Sequence, residues 1–307
     1  MTVIHTKSYW WKYLAETNIA GGDAGIAYAT TVPAADTNLV KCSHPFNEEQ
    51  TMPMAEYIQE ALEAAGQDIS TKQTFTKGVK IIPGKLVQYM HDGIWLDWAL
   101  GIAPAGNGGG GLPKTFALHY SVNDGTTEYT AYGCYITEYK LSAAKGDYIK
   151  EEITFPAYDV QAEVVAETDQ AFLATAIKNF EDVGTTTITI DGTVITDLQN
   201  VSVTVTNTFT EGPTPGSFFH KLPYLLKRDV EIEMEFYTYA SDPLLDMLIE
   251  TAALSTIVFT SLGAVNFEAT NMKPKPESVN INTVPEKGMK AYKVVFEIGG
   301  ASAFTTP

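Results

Sequence analysis

The residues of this chain that could carry out chemistry are few, and their spacing argues against catalysis. The glycine-rich stretch 106–115 superficially resembles a phosphate-binding loop, which needs Gly-Lys-Ser/Thr in succession at the start of a helix. Here Leu112 and Pro113 precede Lys114 and a strand-like run follows, so we interpret the stretch as a plain loop. No histidine has a second histidine or a cysteine at metal-ligand spacing. The five are His5, His44, His91, His119 and His220. We therefore expect no catalytic residue, no metal site and no cofactor.

Three glutamates form the one charged pattern with a defined geometry. Within 230–236, Glu231, Glu233 and Glu235 alternate with apolar residues, so a strand would place all three carboxylates on one face. The simpler interpretation is a strand with one face in solvent. The alternative is a wall that repels a polyanion, and the pattern alone leaves both open.

The charge balance of the chain argues against several classes of partner. Its 307 residues include 20 lysines and arginines against 37 aspartates and glutamates, a formal net charge of −17 at pH 7. A protein that coats a DNA duplex or docks on an anionic membrane needs clustered positive charge instead. Cys42 and Cys134 predict reduced thiols rather than a disulfide framework, and neither a signal sequence nor a membrane-spanning run is visible. We expect the chain to fold in the cytoplasm.

Alternating and hairpin patterns predict a mainly β protein. Asp124-Gly125 and Asp191-Gly192 each separate two strand-like runs, and Asp-Gly is a strong hairpin signal because both turn residues need a positive φ. In 201–206, valines alternate with serine and threonine, as in a strand with one buried face. Helices are predicted at 54–65, 94–100, 169–180 and 242–252.

The order of these elements occurs twice. The helical motif Trp95–Leu100 has a counterpart at Leu244–Ile249, a hairpin follows each, and a Lys-Gly turn then precedes a final strand in both places. These landmarks recur at a nearly constant spacing. We predict two tandem antiparallel β-sandwich or barrel domains, each with a short flanking helix. The predicted domains are 1–162 and 163–307, called the first and second half below, with a helical linker at about 163–183.

Several of these runs resemble the tail tube proteins of tailed viruses. In the second half, Thr187–Val194 reads as a short hairpin, and Leu198–Asn207 as an alternating valine and serine or threonine strand that ends in asparagine. In the first half, Gly133–Ile136, Leu141 and the Lys145-Gly146 turn before a strand are similar to the same family. The strand–helix–hairpin order is similar too, and the resemblance covers most of both halves.

The resemblance implies a structural virion protein rather than an enzyme. Subunits of the family form rings that stack into a hollow tube, through which viral DNA passes into the host, and each tube domain contributes strands to a continuous inner barrel. One domain per subunit gives a six-fold ring in this family. Two domains therefore imply a trimeric ring with pseudo-six-fold symmetry, with a hexamer as the alternative. The implied location is the virion tail, assembled in the host cytoplasm, with tape-measure, tail terminator and baseplate proteins as partners.

In such a tube, Glu231, Glu233 and Glu235 are predicted to face the lumen, where negative charge lets DNA pass without specific binding. The corresponding strand of the first half, 79–89, carries Lys80 and Lys85 instead. A salty habitat would also account for the acidity of the chain, and composition does not separate the two explanations.

Two loops are predicted to contact the neighbouring ring, because a long loop at the same place reaches the next ring in the family. They lie between Phe46 and Thr74 and from Phe209 to Leu222. The candidate inter-ring residues are Phe209, Glu211, Pro213, Phe218, Phe219, Glu48, Glu49 and Tyr57.

Two other classes of function remain open on the residues. A secreted or surface-array, adhesin-like β protein would fit the threonine-rich strands and the acidity, but it would need export. An enzyme or carbohydrate-binding module on a β sandwich lacks any convergent set of polar residues. Self-assembly into tubes with a pore distinguishes the tail tube interpretation from both.

Overall fold

The computed structural model describes fifteen stretches of the chain. They are 9–15, 39–42, 82–90, 94–101, 115–121, 128–157, 159–163, 180, 187–195, 198–210, 225–238, 255–262, 265–284, 289–298 and 304–305.

Strands dominate the described residues of both halves. Those of the first half are β1 (Tyr9–Ala15), β2 (Leu39–Cys42), β3 (Ile82–Tyr89), β4 (Thr115–Ser121), β5 (Glu128–Tyr135), β6 (Glu138–Ala144), β7 (Lys150–Ala157) and β8 (Asp159–Glu163), with helix α1 (Ile94–Leu100) between β3 and β4. Those of the second half are β9 (Thr187–Ile190), β10 (Thr193–Ile195), β11 (Leu198–Phe209), β12 (Leu225–Thr238), β13 (Ser255–Leu262), β14 (Val265–Pro274), β15 (Asn280–Val284), β16 (Met289–Ile298) and β17 (Phe304–Thr305). A 3-10 turn, Pro276–Ser278, joins β14 to β15.

The strands form two antiparallel sheets. The smaller has the order β2-β1-β4-β5-β8. The larger has the order β10-β9-β13-β14-β16-β12-β11-β6-β7-β3, with β15 paired to β16 and β17 to β14. The prediction of a mainly β, antiparallel protein is confirmed. The larger sheet draws strands from both halves of the chain, because β11 pairs with β6.

The two halves repeat one pattern of strand pairing. In the first half β1 pairs with β2 and β4, β5 with β4 and β8, and β7 with β3 and β6. In the second half β9 pairs with β10 and β13, β14 with β13 and β17, and β16 with β12 and β15. The strands correspond in chain order. Only β11 lacks a counterpart among the described residues, and the division at 162/163 stays a prediction.

The local turn and cap residues adopt the backbone that their sequence predicts. Asp191 and Gly192 both have positive φ, at 49° and 79°, which is the backbone of a two-residue type I′ hairpin between β9 and β10. Helix α1 ends at Gly101, whose φ of 70° is the left-handed conformation that terminates helices. Strands β4 and β5, and likewise β13 and β14, pair antiparallel as the predicted hairpins require, and the Asp124-Gly125 turn lies outside the described residues.

The alternation predicted for β11 and β12 is confirmed by their burial. Val201, Val203 and Val205 of β11 are buried, and the residues between them are half-buried or exposed. Ile232 and Met234 of β12 are buried in the same core. Burial of such side chains is the main stabilising contribution of a half-buried sheet, at roughly 2 kcal/mol for each large apolar residue.

One continuous apolar core joins both sheets to α1. Trp95 of the helix packs against Phe116 of β4, with ring centroids 5.3 Å apart, and Phe116 packs against Phe155 of β7 at 5.4 Å. Trp11 and Tyr13 of β1 are buried in the same cluster. These two aromatic residues therefore belong to the core.

Three of the four predicted helices lie outside the described residues. These are 54–65, 242–252 and, except for Phe180, 169–180. Phe180 donates its backbone N–H to the carbonyl of Asp147 at 2.9 Å and packs against the core. The predicted helical linker is otherwise untested.

Candidate assembly surface

The six strands β16-β12-β11-β6-β7-β3 lie side by side and have one buried face and one mainly polar face, which also carries Val295 and the buried Val87. The ladder registers place directly paired residues on the same face, so the polar side can be followed across all six strands. We call this side the polar face. Its members include Glu231, Glu233 and Glu235 of β12, Asn200, Ser202 and Thr204 of β11, Lys140 and Ser142 of β6, Lys150, Glu152 and Thr154 of β7, Lys85 of β3, and Lys293 and Glu297 of β16.

Lysines meet the predicted glutamates on this face. The Nζ atom of Lys293 lies 2.6 Å from Oε1 of Glu233, and Lys275 pairs with Glu231. The hydrogen bond from Lys275 to Glu231 is the main cause that raises the pKa of that lysine, and the bond to Glu233 does the same for Lys293. Both ammonium groups are therefore charged at neutral pH and held by a carboxylate.

The pairing extends to the neighbouring strands. Lys275 also lies 3.6 Å from Oε2 of Glu297, and Lys273 lies 3.5 Å from Oε1 of the same carboxylate. Glu235 accepts a hydrogen bond from Nδ2 of Asn200 at 2.8 Å. The glutamates do share one face, as the sequence predicts, but at this end of the sheet the surface carries both signs of charge.

The first half has a matching ion pair with the charges exchanged. Lys85 of β3 lies 2.9 Å from Oε2 of Glu152 on β7, just as Glu233 of β12 pairs with Lys293 on β16. Burial is the largest single influence on Glu152 and would raise its pKa, but the hydrogen bond to Lys85 and the charges of Lys85, Lys150 and Lys140 together outweigh burial, and the pKa is lowered.

The positions of these two pairs correspond by backbone hydrogen bonding. The carbonyl of Thr154 accepts the N–H of Thr137, just before β6, at 3.0 Å. The carbonyl of Val295 accepts the N–H of Lys275, just before the turn to β15, at 2.8 Å. Thr154 and Val295 are therefore equivalent, and Glu152 corresponds to Lys293.

The joint between the halves is the ladder of β11 on β6. It runs from Asn200 opposite Ala144 to Thr206 opposite Glu138 without a register shift. Backbone bonds extend it at both ends: Lys145 donates its N–H to Gln199 at 2.9 Å, and Asn207 donates its N–H to the carbonyl of Thr137 at 2.8 Å. A strand of one half thus continues the sheet of the other.

Two polar side chains of the second half close this joint onto α1. Nδ2 of Asn207 donates to the carbonyls of Ala99 and Ile136, at 2.9 and 3.1 Å. Nη1 of Arg228 donates to the carbonyl of Leu100 at 2.5 Å, and its Nε donates to Oδ1 of Asn207 at 2.8 Å. The last carbonyls of a helix have no partner within it, so these bonds satisfy groups that α1 leaves open.

The guanidinium of Arg228 is held in a half-buried position. Burial lowers its pKa, yet an arginine remains charged at any physiological pH. The negative end of the α1 dipole favours a cation at this place. The absence of a side chain at Gly101 provides the space for the guanidinium, because a Cβ there would lie 3.1 Å from Nη2 of Arg228. The arrangement binds and positions the chain, and offers no nucleophile or proton donor for catalysis.

Comparison with known families decides the class of the protein. The sequence model of the family described as phage tail tube protein matches residues 82–285, from the start of β3 to just beyond β15. That range is more than half of the chain. The chain belongs to the phage tail tube protein family. Membership makes it a structural protein of a virion tail, whose subunits assemble into a tube.

Two further comparisons add little. Among curated proteins, none matches this tail tube protein. Among solved structures, a chain from the virion of a native gene transfer agent (GTA) particle is 13% identical, with a TM-score of 0.30. The match covers 39% of the tail tube protein and 95% of that chain.

The predicted inter-ring residues of the tail tube protein fall almost entirely outside the described residues. Phe209, the last residue of β11, is half-buried and packs edge-on against Tyr135, with ring centroids 4.9 Å apart. The other seven are Glu211, Pro213, Phe218, Phe219, Glu48, Glu49 and Tyr57, and they remain predictions.

Sequence reasoning missed Asn207 and Arg228, although a signal was present. Continuing the buried positions of β11 from Val205 by two leads to Asn207, and stepping back two from Val230 in β12 leads to Arg228. Polar residues at apolar positions of an alternating strand must find partners inside the fold. Glu151 of β7 is a third such residue, two positions before Ile153.

The described residues also bear on metal sites and membrane spans. No group of three or more histidine, cysteine, aspartate or glutamate side chains within them could hold a metal ion. None of the helices they contain is long and apolar enough to cross a membrane.

Proposed function

We propose that this tail tube protein forms closed rings in which the larger sheet continues from one subunit to the next, and that the rings stack into a channel for viral DNA. The observation that carries the proposal is the ladder of β11 on β6, where equivalent halves of one chain already share a sheet edge to edge. An unpaired sheet edge is a hazard in a monomer, and closure into a ring removes it.

The repeated strand pairing supports a ring of three subunits with pseudo-six-fold symmetry. Each chain supplies two similar units, which correspond to the tandem domains 1–162 and 163–307. Three chains then supply six units, the number that one-domain members of the family place in a ring. A hexamer in which one half stays peripheral is the alternative.

The polar face, with Glu231, Glu233 and Glu235, is proposed to line the lumen. Its lysines do not make it a DNA-binding wall. Lys293, Lys85 and Lys150 of this face are engaged by carboxylates, as is the neighbouring Lys275, and holding a phosphate would require that these pairs be broken. With 37 acidic against 20 basic residues in the whole chain, the lumen is proposed to repel the duplex weakly and let it slide.

The two long loops are proposed to connect successive rings, and the tape-measure, tail terminator and baseplate proteins to complete the tail, with assembly in the host cytoplasm. Deleting 209–222 should leave folded subunits that form no tubes. Because Phe209 packs against Tyr135, a deletion of 211–222 that retains Phe209 is the cleaner test. Full-length tubes from that variant would contradict the role of the loop.

The experiment that tests the ring is negative-stain electron microscopy of the purified protein at increasing concentration, with end-on class averages. Rings or tubes with a stain-filled pore support the proposal, and three-fold against six-fold averages decide between trimer and hexamer. Particles that remain monomeric at every concentration contradict self-assembly without a partner.

A further inference from the structure

The geometry points to β15, residues 280–284, as the edge through which one subunit pairs with a second copy of itself. We infer that a strand from the first half of that copy pairs with β15 as β11 pairs with β6 inside the chain. The inference rests on the proposed ring and specifies where it closes.

The equivalence of β6 and β15 follows from the ladders. Lys140 of β6 lies opposite Glu152, and Asn280 of β15 lies opposite Lys293. Because Glu152 and Lys293 are equivalent, Lys140 and Asn280 are equivalent as well. The two strands also pair on the same side of their partner, away from β3 in one half and away from β12 in the other.

The two strands differ in what lies beyond them. The outer edge of β6 carries β11. In the described part of the chain, β15 pairs with β16 alone. The chain thus holds two copies of one edge, the first occupied by the other half of the same molecule and the second without a described strand. An edge of this kind selects another strand as its partner, because only a strand pairs its whole row of backbone donors and acceptors.

We expect a second copy of the chain on β15 rather than an unrelated protein, because the internal joint already shows a strand of one half pairing with the equivalent edge of the other half. Inside the chain, the strand that pairs with β6 is β11, which also pairs with β12. Strand β12 lies on the side of β16 away from β15. The equivalent of β12 is β3, which pairs with β7, and Val87 of β3 has a further interaction besides those described above. A strand of the second copy that lies next to its own β3 and also pairs with β15 of the first subunit would reproduce the joint that β11 makes with β12 and β6. The second copy would then offer its own β15 to the next subunit.

The internal joint also predicts which amides of β15 point outward. Lys145 donates to Gln199 and Asn207 donates to Thr137, so the odd-numbered residues between them, such as Leu141 and Ala143, bond toward β11. Their counterparts in β15 are Ile281 and Thr283. A proline at either position removes an outward donor and retains the ladder to β16, which is the placement that edge strands tolerate.

The test uses the full chain with Thr283→Pro and, as the matched control, Thr283→Ala, which keeps the backbone N–H. We expect the wild type and Thr283→Ala to form rings at the same concentration. Thr283→Pro should retain the wild-type circular dichroism spectrum and remain monomeric by light scattering at ten times that concentration. Rings of Thr283→Pro at the wild-type concentration would overturn the role of β15 and leave the proposed ring intact. A wild type that never assembles contradicts both.

Hydrogen exchange of the wild type gives a second test that needs no variant to fold. The amides of Ile281 and Thr283 should exchange at least tenfold more slowly in assembled rings than in monomers, while those of Leu141 and Ala143 stay protected in both. Equal protection of Ile281 and Thr283 in the monomer would show that the chain covers β15 itself, and would overturn the inference.

Discussion

The trio β3-β7-β6 of the first half and the trio β12-β16-β15 of the second share their pairing and differ in their chemistry. Inside the first, Glu151 is fully buried and accepts hydrogen bonds from Gln88 at 2.9 Å and from Tyr139 at 2.8 Å. At the corresponding places in the second, Phe236 and Tyr292 stack with ring centroids 5.3 Å apart. The same backbone frame thus accepts a polar or an aromatic filling.

Strand pairing, rather than any particular core residue, is therefore what the two trios have in common. A polar core cluster is stable only if its groups are bonded, whereas an aromatic pair needs only contact area. The joint between the halves is polar in the same sense, since Asn207 and Arg228 bond the end of α1. Removing a hydrogen-bonding or charged partner should therefore lower the free energy of unfolding most at the joint, less in the buried cluster around Glu151 and least on the polar face.

The largest effect is expected from Asn207→Ala. The side chain makes three hydrogen bonds in the joint, two donated to backbone carbonyls and one accepted from Arg228, and their loss should lower the free energy of unfolding by about 4 kcal/mol. Urea denaturation measures it. The control is Lys227→Ala, which removes only an exposed pair with Asp229 and should cost less than about 0.5 kcal/mol. An equal effect of both variants would mean that the joint adds no stability.

The next largest effects on the free energy of unfolding are expected from substitutions of Glu151 and of its counterpart Tyr292, and the two should have opposite signs. Glu151→Leu leaves the donors of Gln88 and Tyr139 without this acceptor in the core, and should destabilise the protein by about 3 kcal/mol. Tyr292→Phe removes a hydroxyl that is buried with no partner in the described part of the chain, and should be neutral or stabilise by up to about 1 kcal/mol. Thermal unfolding of the two variants side by side checks both signs.

Much of this fold could be predicted from the sequence because its signals are local. The Asp191-Gly192 turn and the alternation in β11 depend on neighbours within a few residues, and both are confirmed. Pairing between distant strands, such as β11 with β6, has no local signature, and neither do the lysines that meet Glu231 and Glu233 across strands. The sequence pattern of β11 indicates that Asn207 is a polar residue at a buried position, but it does not indicate the groups to which Asn207 bonds.

A glycine in the first trio distinguishes it from the second in packing. Gly84 lies opposite Phe155, where Ile232 lies opposite Phe296 in the second trio. A Cβ at Gly84 would lie 2.5 Å from Cε2 of Phe155, so Gly84→Ala should displace that ring and cost about 2 kcal/mol. The control is Gly146→Ala, where the space is open but φ is 87°, so that only backbone strain acts. A near-UV circular dichroism change in Gly84→Ala alone would show that the aromatic core has moved.

The smallest effect is expected where the trios carry opposite charges at equivalent places. Lys85→Glu or Glu152→Lys alone places like charges together and should cost about 0.5 kcal/mol, and the double variant, which reproduces the order of Glu233 and Lys293, should restore most of that loss. The dependence of stability on pH follows from Glu152, whose pKa is lower in the folded protein than in the unfolded chain. The ion pair therefore stabilises the fold at pH values above the unfolded pKa of the carboxyl, and this contribution is lost as the pH falls through the folded pKa. Lys85→Met should therefore raise the pKa of Glu152 in an NMR titration and flatten stability in that acidic range. If the double variant is no more stable than either single one, the exchanged pair has no energetic meaning, and the likeness of the two trios rests on their backbone pairing alone.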